Sequence, residues 1–329
     1  MMVSVVVPVY NVAQYVWDCL WSVGQQDYTD IECLIIEDHS TDKSMGVVRK
    51  FVEQYHGNVE FRIISLPVNR GLSEARNIGI ENSKGDFIFF LDGDDELTSD
   101  CISSMVRTQK QKSADIVVGS HKYVRLDGGI IISIAETRGN IFLSSDKYWP
   151  ACAWNKLISI SYLNQHNIRF VPHIYHEDVL WTYHLLSHSP SIAFSPNITY
   201  VYKERVLSIM NKRDDVTLNK RFESYKSILE MMIKTIPIDH DRRIEALFFI
   251  ERTARMMSCQ MLSVHCKNEA YRLFDFACNK VKIPFRCLVS SSDVPIKDRL
   301  KLLYVYLPQK LSFSIFSWFY SPQRKGLEK

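Results

Sequence analysis

Four acidic residues follow a short apolar run near residue 90. Residues 87–91 read Phe-Ile-Phe-Phe-Leu, and Asp92, Asp94, Asp95 and Glu96 come directly after them. A run this short and this apolar predicts a strand that is buried on both faces, as in a parallel sheet. Carboxylates crowded at a strand end repel one another unless a cation joins them, and oxygen ligands suit Mg²⁺ or Mn²⁺. Asp92 and Asp94 therefore predict half of a metal–diphosphate site, although an acidic turn capping the next helix would use the same residue types.

Strands and helices alternate on both sides of this run. The pattern predicts strands over 3–7, 32–37, 61–65, 86–91 and 115–118, and helices over 12–26, 43–55, 74–82 and 98–110. This alternation is typical of βαβ units in a largely parallel sheet. Ser40 or Thr41 is predicted to cap the second helix. Ligands of open α/β sheets bind beyond the carboxyl ends of the strands, so polar clusters at several strand ends together indicate a site.

The second half of the chain has a different pattern. Asp127-Gly128-Gly129 lies between two apolar runs and predicts a hairpin. Short helices are predicted near 159–166 and 179–188, with a strand over about 192–202 between the latter helix and a wholly helical region from about 217.

Composition and charge narrow the class of protein. The chain has 329 residues, of which 46% are hydrophobic and 23% charged, as in ordinary globular proteins. Residues 1–199 carry 16 Lys and Arg against 23 Asp and Glu, a net charge of −7. Residues 200–329 carry 24 against 14, a net charge of +10. The basic second part predicts an anionic partner, but no nucleic-acid-binding module accompanies it, so we expect no nucleic acid.

Several classes of site lack their sequence signatures. No GxGxxG follows the first strand and no GxxxxGK[ST] occurs, so dinucleotide and P-loop sites lose their main support. The eight cysteines form no CxxC pair, which disfavours a zinc ribbon and favours a reduced, cytoplasmic setting. We predict no signal peptide and, without about 18 consecutive apolar residues, no transmembrane helix.

Four motifs in order carry a resemblance to a known family. They are Pro8-Val9-Tyr10-Asn11, Glu37-Asp38-His39-Ser40-Thr41-Asp42, Asn69-Arg70-Gly71 with Ala75-Arg76-Asn77, and Leu91-Asp92-Gly93-Asp94-Asp95. The set resembles family-2 inverting glycosyltransferases of the GT-A fold over about residues 1–210. Glu37 and His39 depart from the usual Asp-Asp-Gly-Ser-Thr-Asp pattern. The resemblance implies an α/β, Rossmann-like, mostly parallel sheet flanked by helices, followed by a helical C-terminal region over 211–329.

The resemblance also implies roles for individual residues on the donor side. Pro8, Tyr10 and Asp38 would line the nucleotide pocket, and Arg76 would approach the base or ribose. Asp92 would lie near the ribose or the metal, and Asp94 would hold the divalent cation, Mn²⁺ or Mg²⁺. These assignments follow from the family's motifs.

Two further segments match the family's pattern. Glu177 and Asp178 resemble its catalytic-base segment; Asp178 is favoured and Glu177 is the alternative. Both acids would also complement a helix dipole at a helix start. Lys203 and Arg205, followed by Ser208, resemble a loop that closes over the diphosphate, and solvated charge at a strand end is an equally good interpretation.

The implied function is inverting transfer of a sugar from a nucleotide-diphosphate sugar to an acceptor hydroxyl. The acceptor would be a saccharide or a lipid-linked saccharide, in bacterial cell-surface polysaccharide synthesis. The alternative is a non-catalytic nucleotide-sugar-binding or scaffold protein of the same fold. A sugar nucleotidyltransferase would need a Gly-rich loop where Pro8-Val9-Tyr10-Asn11 stands.

The C-terminal stretch 296–320 places basic residues before aromatic and aliphatic ones. Interfacial helices combine Lys and Arg with Trp, Phe and Leu, and Trp318 and Tyr320 are types that settle at headgroup level. One hypothesis is peripheral binding to an anionic membrane surface, on the inner face of the cell membrane. The other is a helix pair that packs on the protein itself or on a partner, with Pro308 as a break or kink.

Overall fold

Strand β1 lies near the middle of the sheet that organises the first part of the molecule. The computed structural model describes residues 1–135, 151–205, 214–281, 307 and 309–320. The parallel part consists of β1 (Val3–Val9), β2 (Ile31–Glu37), β3 (Glu60–Ser65) and β4 (Phe87–Phe90). They lie in the order β3-β2-β1-β4, and every residue of β1, β2 and β4 is buried. The connecting helices are α1 (Val16–Gly24), α2 (Ser44–Gln54) and α3 (Leu72–Asn82).

The sheet continues beyond β4 with strands of mixed direction. The elements are β5 (Glu96–Leu97), α4 (Cys101–Lys112), β6 (Ile116–Val124), β7 (Ile130–Ser133), β8 (Lys156–Ser159), α5 (Ile160–Gln165), α6 (Glu177–Ser187) and β9 (Ile192–Lys203). The order runs β4-β8-β6-β9-β5, with β7 on β6. β8 is antiparallel to β4 and β6, and β9 is parallel to β6. β9 thereby brings a strand from late in the chain into the sheet that carries the acidic turn.

Four described helices follow the sheet. They are α7 (Asp215–Lys234), α8 (His240–Ser263), α9 (Lys267–Lys280) and α10 (Gln309–Tyr320). By contacts, the chain forms two compact units. The sheet unit comprises the described residues of Met1–Thr137, Asp146–His173 and His184–Ser208. The helical unit comprises those of Ile174–Tyr183 and Ile209–Lys329, so the turn that carries Glu177 and Asp178 belongs to it. Among the described residues, no helix combines the length and apolar character needed to cross a bilayer.

Some predicted boundaries shift in the structure. β1 runs through Pro8 to Val9, two residues further than predicted, because its pairing with β4 already ends at Val6 and the missing N–H of Pro8 costs no bond there. The first helix begins at Val16, whereas the pattern predicted 12.

The predicted cap of the second helix is wrong. Its N-cap position is Lys43, and Asp42 accepts the Ser44 N–H at 2.8 Å. Thr41 instead donates its N–H to Asn11 Oδ1 at 2.8 Å. The predicted hairpin is present, with β6 and β7 antiparallel and Gly128 at a φ of 83°, a conformation that favours glycine.

The C-terminal aromatic residues divide between core and surface. Phe313 and Phe316 are buried, and both pack on Phe274 of α9, with ring centroids 5.4 and 4.9 Å apart. Trp318 remains 54% exposed. Packing within the protein therefore accounts for the two phenylalanines. Residues 296–306 and Pro308, which carry the predicted kink and much of the basic cluster, lie outside the described residues, as does Ser208.

Candidate functional site

The acidic turn 92–95 leaves β4 at the carboxyl end of the parallel strands. A Cβ on Gly93 would lie 2.9 Å from the Pro8 carbonyl oxygen, so the turn passes against the end of β1 too closely for another residue. The side chain of Asp92 is 26% exposed and that of Asp94 is 11% exposed. Two carboxylates therefore stand together at the sheet edge where ligands of such folds bind.

These carboxylates disfavour each other's charge. Burial raises the pKa of Asp94 above its usual range, the Asp92 carboxylate raises it further, and the Arg205 guanidinium opposes both effects. Burial, Asp94 and Asp92 likewise raise the pKa of Asp95. A site that concentrates negative charge in this way gains stability from a cation.

Two arginines supply that positive charge in the structure. Arg76, only 3% exposed, forms an ion pair with Asp92 at 2.8 Å, and its guanidinium lies 5.3 Å from the Phe170 ring centroid. Arg205 pairs with Asp94 through Nε. The predicted donor-site residues Arg76 and Arg205 are thus both brought to the two predicted metal ligands.

Asp95 fastens the turn to the end of β9. It is buried, and its carboxylate accepts the Tyr200 hydroxyl at 2.8 Å and the Lys203 backbone N–H at 2.9 Å. The Tyr200 oxygen also accepts the Asp92 N–H at 3.3 Å. The Lys203 ammonium pairs with Glu96. Asp95 and Tyr200 therefore hold the position of the residues around Asp92 and Asp94.

Asp38 holds the loop that precedes α3. It is 2% exposed, and its carboxylate accepts the N–H of Arg70 at 2.6 Å and that of Gly71 at 2.8 Å. Its own N–H donates to Val9 at 3.0 Å, which ties β2 to the end of β1 beside Pro8. The side chain of Tyr10 is 47% exposed at the same end. Pro8, Tyr10 and Asp38 are therefore neighbours, with Tyr10 the most accessible of the three.

Glu177 and Asp178 occupy the first turn of α6. The preceding residues are fixed to α7: Tyr175 donates its N–H to Ser224 Oγ at 3.0 Å, and His176 Nε2 lies 2.9 Å from the Tyr225 hydroxyl. Burial and then Arg221 lower the pKa of His176 to about 4, so this ring is neutral at pH 7. The two acids thus begin a helix whose start is held in place within the helical unit.

The residues of the acidic turn suit a divalent cation that arrives with a phosphate ligand. Within the described part of the chain, no group of three or more His, Cys, Asp or Glu residues has a metal-binding arrangement. Mg²⁺ typically takes one or two carboxylates and completes its shell with water and substrate phosphates. Asp92 and Asp94 meet that requirement, whereas a closed, all-protein metal cage would not fit here.

A comparison with known proteins identifies the domain. Residues 4–151 match the model of Glycosyl transferase family 2. The chain carries a family-2 glycosyltransferase domain. Over 283 residues the chain is 26% identical to a poly(ribitol-phosphate) beta-glucosyltransferase of Bacillus spizizenii, covering 83% of this chain and 43% of that protein. The matched part of this chain spans between 16% and 51% of the full length of four curated glycosyltransferases, among them the Bacillus spizizenii enzyme.

Solved glycosyltransferases have the same fold. Residues 1–349 of Staphylococcus aureus TarS, crystallised with UDP-GlcNAc, match with a TM-score of 0.76 at 20% identity, covering 99% of this chain and 92% of that one. A mannosyltransferase from Pyrobaculum calidifontis, in complex with GDP-Man and Mn²⁺, matches with a TM-score of 0.56 at 15% identity, covering 96% and 84%. The predicted GT-A fold with C-terminal helices is confirmed.

Sequence reasoning missed one residue that holds the acidic turn and assigned another an incomplete role. Tyr200 received no role, and Asp95 was placed only beside the metal ligands. The contact between them joins residues 105 positions apart. The register of β5 on β9, in which Glu96 pairs with Val201, creates that contact. No local sequence pattern predicts this register.

Proposed function

We propose that this chain is a metal-dependent, inverting glycosyltransferase that moves a sugar from a nucleotide-diphosphate sugar to an acceptor hydroxyl. The observation that carries the proposal is the pair Asp92 and Asp94 at the sheet edge, with Arg76 and Arg205 on their carboxylates. A divalent cation there, Mn²⁺ or Mg²⁺, would neutralise charge on the leaving diphosphate. The family match supports transfer, and the complexes of the two structural neighbours support a nucleotide-sugar donor.

Different residues would bind the base and the diphosphate of the donor. Tyr10 offers an exposed ring beside Pro8, where a base can pack. Asp38 keeps the 69–71 loop in shape, and its remaining carboxylate lone pairs are what could contact the base. Arg205 and Lys203 would exchange their carboxylate partners for the diphosphate, because a guanidinium binds phosphate oxygens as it binds a carboxylate.

We assign the general base to Asp178, with Glu177 as the alternative. When this carboxylate takes the proton of the acceptor hydroxyl, the hydroxyl oxygen becomes nucleophilic. The oxygen attacks the anomeric carbon as the bond to the diphosphate breaks, and the electron pair leaves with the diphosphate. A single displacement inverts the anomeric centre. The position of both acids in a fixed helix start supports this assignment.

The acceptor and location are part of the same proposal. We expect a saccharide, a lipid-linked saccharide or an anionic cell-surface polymer, since a relative is named for poly(ribitol-phosphate). A cytoplasmic enzyme bound to the inner membrane surface would meet such acceptors, and the exposed Trp318 and Leu311 of α10 support contact with a bilayer. Sedimentation with vesicles containing anionic lipid tests this part; full-length protein that stays in the supernatant would contradict it.

Donor binding provides the first test. We expect UDP or GDP to bind in the presence of Mn²⁺ in calorimetry, and Asp94→Ala to lose the metal-dependent part. Asp127→Ala, which removes an exposed carboxylate from the hairpin of the same unit, should bind as the unmodified protein does. Equal binding by Asp94→Ala would refute the metal assignment.

Turnover provides the second test. A panel of nucleotide sugars should reveal hydrolysis or transfer, with an inverted product anomer by NMR. Asp178→Asn should bind donor normally and lose about 10²- to 10⁴-fold in kcat. Asp215→Asn, at the start of α7, is the matched control. Donor binding without turnover for any sugar would instead favour a non-catalytic binding protein.

A further inference from the structure

A cleft opens between α7 and α9 within the helical unit. Phe222 and Lys226 stand one turn apart on α7, and Arg272, Asp275 and Asn279 recur at helical spacing on α9. Residues three and four apart share one helix face, so both helices present a continuous wall. The volume of about 290 Å³ is enough for one small polar group with its attached chain.

The walls of this cleft carry excess positive charge. Lys226, Arg272 and Lys280 line it, against one acid, Asp275. Asn279 donates to Asp275 Oδ2 at 3.1 Å. Among the ion pairs of the described residues, none joins any of the three cations to a carboxylate. Three cations and a single acid around one concave space leave a net positive charge, which attracts an anion.

Aromatic rings hold part of this wall in place. The Arg272 guanidinium lies 4.7 Å from the centroid of the buried Phe222 ring, a cation–π contact that limits its freedom. Tyr271, which also lines the cleft, packs edge-on against Phe313 of α10 at 5.0 Å. A guanidinium that is already oriented loses less entropy when it binds a phosphate.

We infer that this cleft binds a phosphodiester unit of a polyol-phosphate or sugar-phosphate chain. The cations match the phosphate, and the partly buried Tyr271 ring offers apolar surface for the carbon chain beside it. A bilayer would require these groups to protrude, whereas here they line a concavity. The inference rests on the proposed function, since such a chain belongs to the class of anionic acceptor expected there, and it adds a binding site in the helical unit that takes no part in donor chemistry.

The test is direct binding of a synthetic glycerol-phosphate tetramer. We expect saturable binding by the full-length protein in calorimetry, and none of maltotetraose, which is neutral. The triple variant Lys226→Gln, Arg272→Gln, Lys280→Gln should weaken binding on the order of 100-fold, because three charge-assisted contacts are lost. The control triple Lys234→Gln, Arg243→Gln, Lys267→Gln changes the net charge equally on α7, α8 and α9 outside the cleft, and should bind within about twofold of the unmodified protein.

Other outcomes overturn the inference. Equal losses in both triple variants would assign binding to overall charge. No binding of the tetramer, or cleft-dependent binding confined to vesicles of phosphatidylglycerol, would exclude a polyol-phosphate site. UDP binding with Mn²⁺, measured on the same triple variant, reports separately on the transfer site, so either proposal can fail alone.

Discussion

Positive charge is arranged in opposite ways in the two units. In the sheet unit, Arg76 and Arg205 are paired with Asp92 and Asp94 before any ligand arrives. In the helical unit, Lys226, Arg272 and Lys280 line a cleft with no described carboxylate paired to them. Under the proposed function, a ligand of the first site would replace existing ion pairs, which would select for a cation and a diphosphate together. A ligand of the second meets cations that need no displacement, so its binding should weaken steeply with salt.

The largest expected effect tests whether the paired charges stabilise the sheet unit. Arg76→Met leaves Asp92 beside Asp94 without its cation, and breaking a buried pair costs about 3–5 kcal/mol. Urea unfolding should show that loss. Arg272→Gln, on the exposed wall of the cleft, loses only a cation–π contact with Phe222 and should cost no more than about 0.5–1 kcal/mol. Similar losses in both variants would remove the distinction between paired and unpaired cations.

The next effect concerns the backbone beneath the paired cluster. Gly93→Ala brings a Cβ to 2.9 Å from the Pro8 carbonyl oxygen, and such overpacking costs about 1–3 kcal/mol. Mn²⁺-dependent UDP binding should weaken with it. Gly46→Ala in α2 meets nothing within 4 Å and should stabilise the protein by up to about 1 kcal/mol. Normal metal-dependent binding by Gly93→Ala would show that the turn tolerates displacement.

Tyr200→Phe tests the hydrogen bond that holds the acidic turn to β9. It removes the hydroxyl that Asp95 accepts, and a buried acceptor left without its donor costs about 1–3 kcal/mol. We expect weaker Mn²⁺ binding in calorimetry as well as lower stability. Tyr162→Phe loses a comparable bond, to the Leu185 carbonyl at 2.6 Å, and should affect stability alone. Equal Mn²⁺ affinity in both variants would leave Tyr200 a purely structural residue.

The last effect, in the helical unit, depends on pH. The pKa of His176 is about 4 in the folded protein and about 6.5 when unfolded. Between these values the unfolded state binds more protons, so stability falls as pH falls. From pH 7 to 5 this group should cost about 2 kcal/mol.

His176→Asn isolates that contribution. Asparagine tolerates the φ of 60° at this position and does not titrate. The stability difference between the unmodified protein and the variant should therefore shrink on acidification, as measured by urea unfolding at each pH. A constant difference would mean that the ring is not held neutral.

The parallel part of the sheet followed from the sequence because local patterns determine its strands, whereas β5 and the antiparallel β8 between β4 and β6 were not predicted. Apolar runs of four to seven residues became the buried strands β1, β2 and β4, and the acids after β4 fell at the sheet edge as predicted. The residues that contact those acids could not be predicted from the sequence. Arg76 reaches Asp92 only through the packing of α3, and Tyr200 reaches Asp95 only through the register of β9. Contacts between residues 16 and 105 positions apart depend on how elements pack, which a linear pattern does not contain.

The aromatic residues of α10 also show what the sequence pattern could not predict. Its aromatic residues suited a membrane surface and a protein interface equally well as a pattern. Phe313 and Phe316 proved to be buried against α9, while Trp318 stayed exposed. Helical periodicity alone did not distinguish these fates, because they depend on which face meets Phe274.

The carboxylate of Asp38 contacts the 69–71 loop only through hydrogen bonds from the main-chain N–H groups of Arg70 and Gly71. The course of that loop depends little on the side chain at position 70, which makes an exposed ion pair with Glu74 at 3.5 Å, whereas Gly71 has a φ of 86°, a conformation that favours glycine. Substitution of Arg70 can therefore change the surface beside the proposed nucleotide pocket while the path of the chain stays the same.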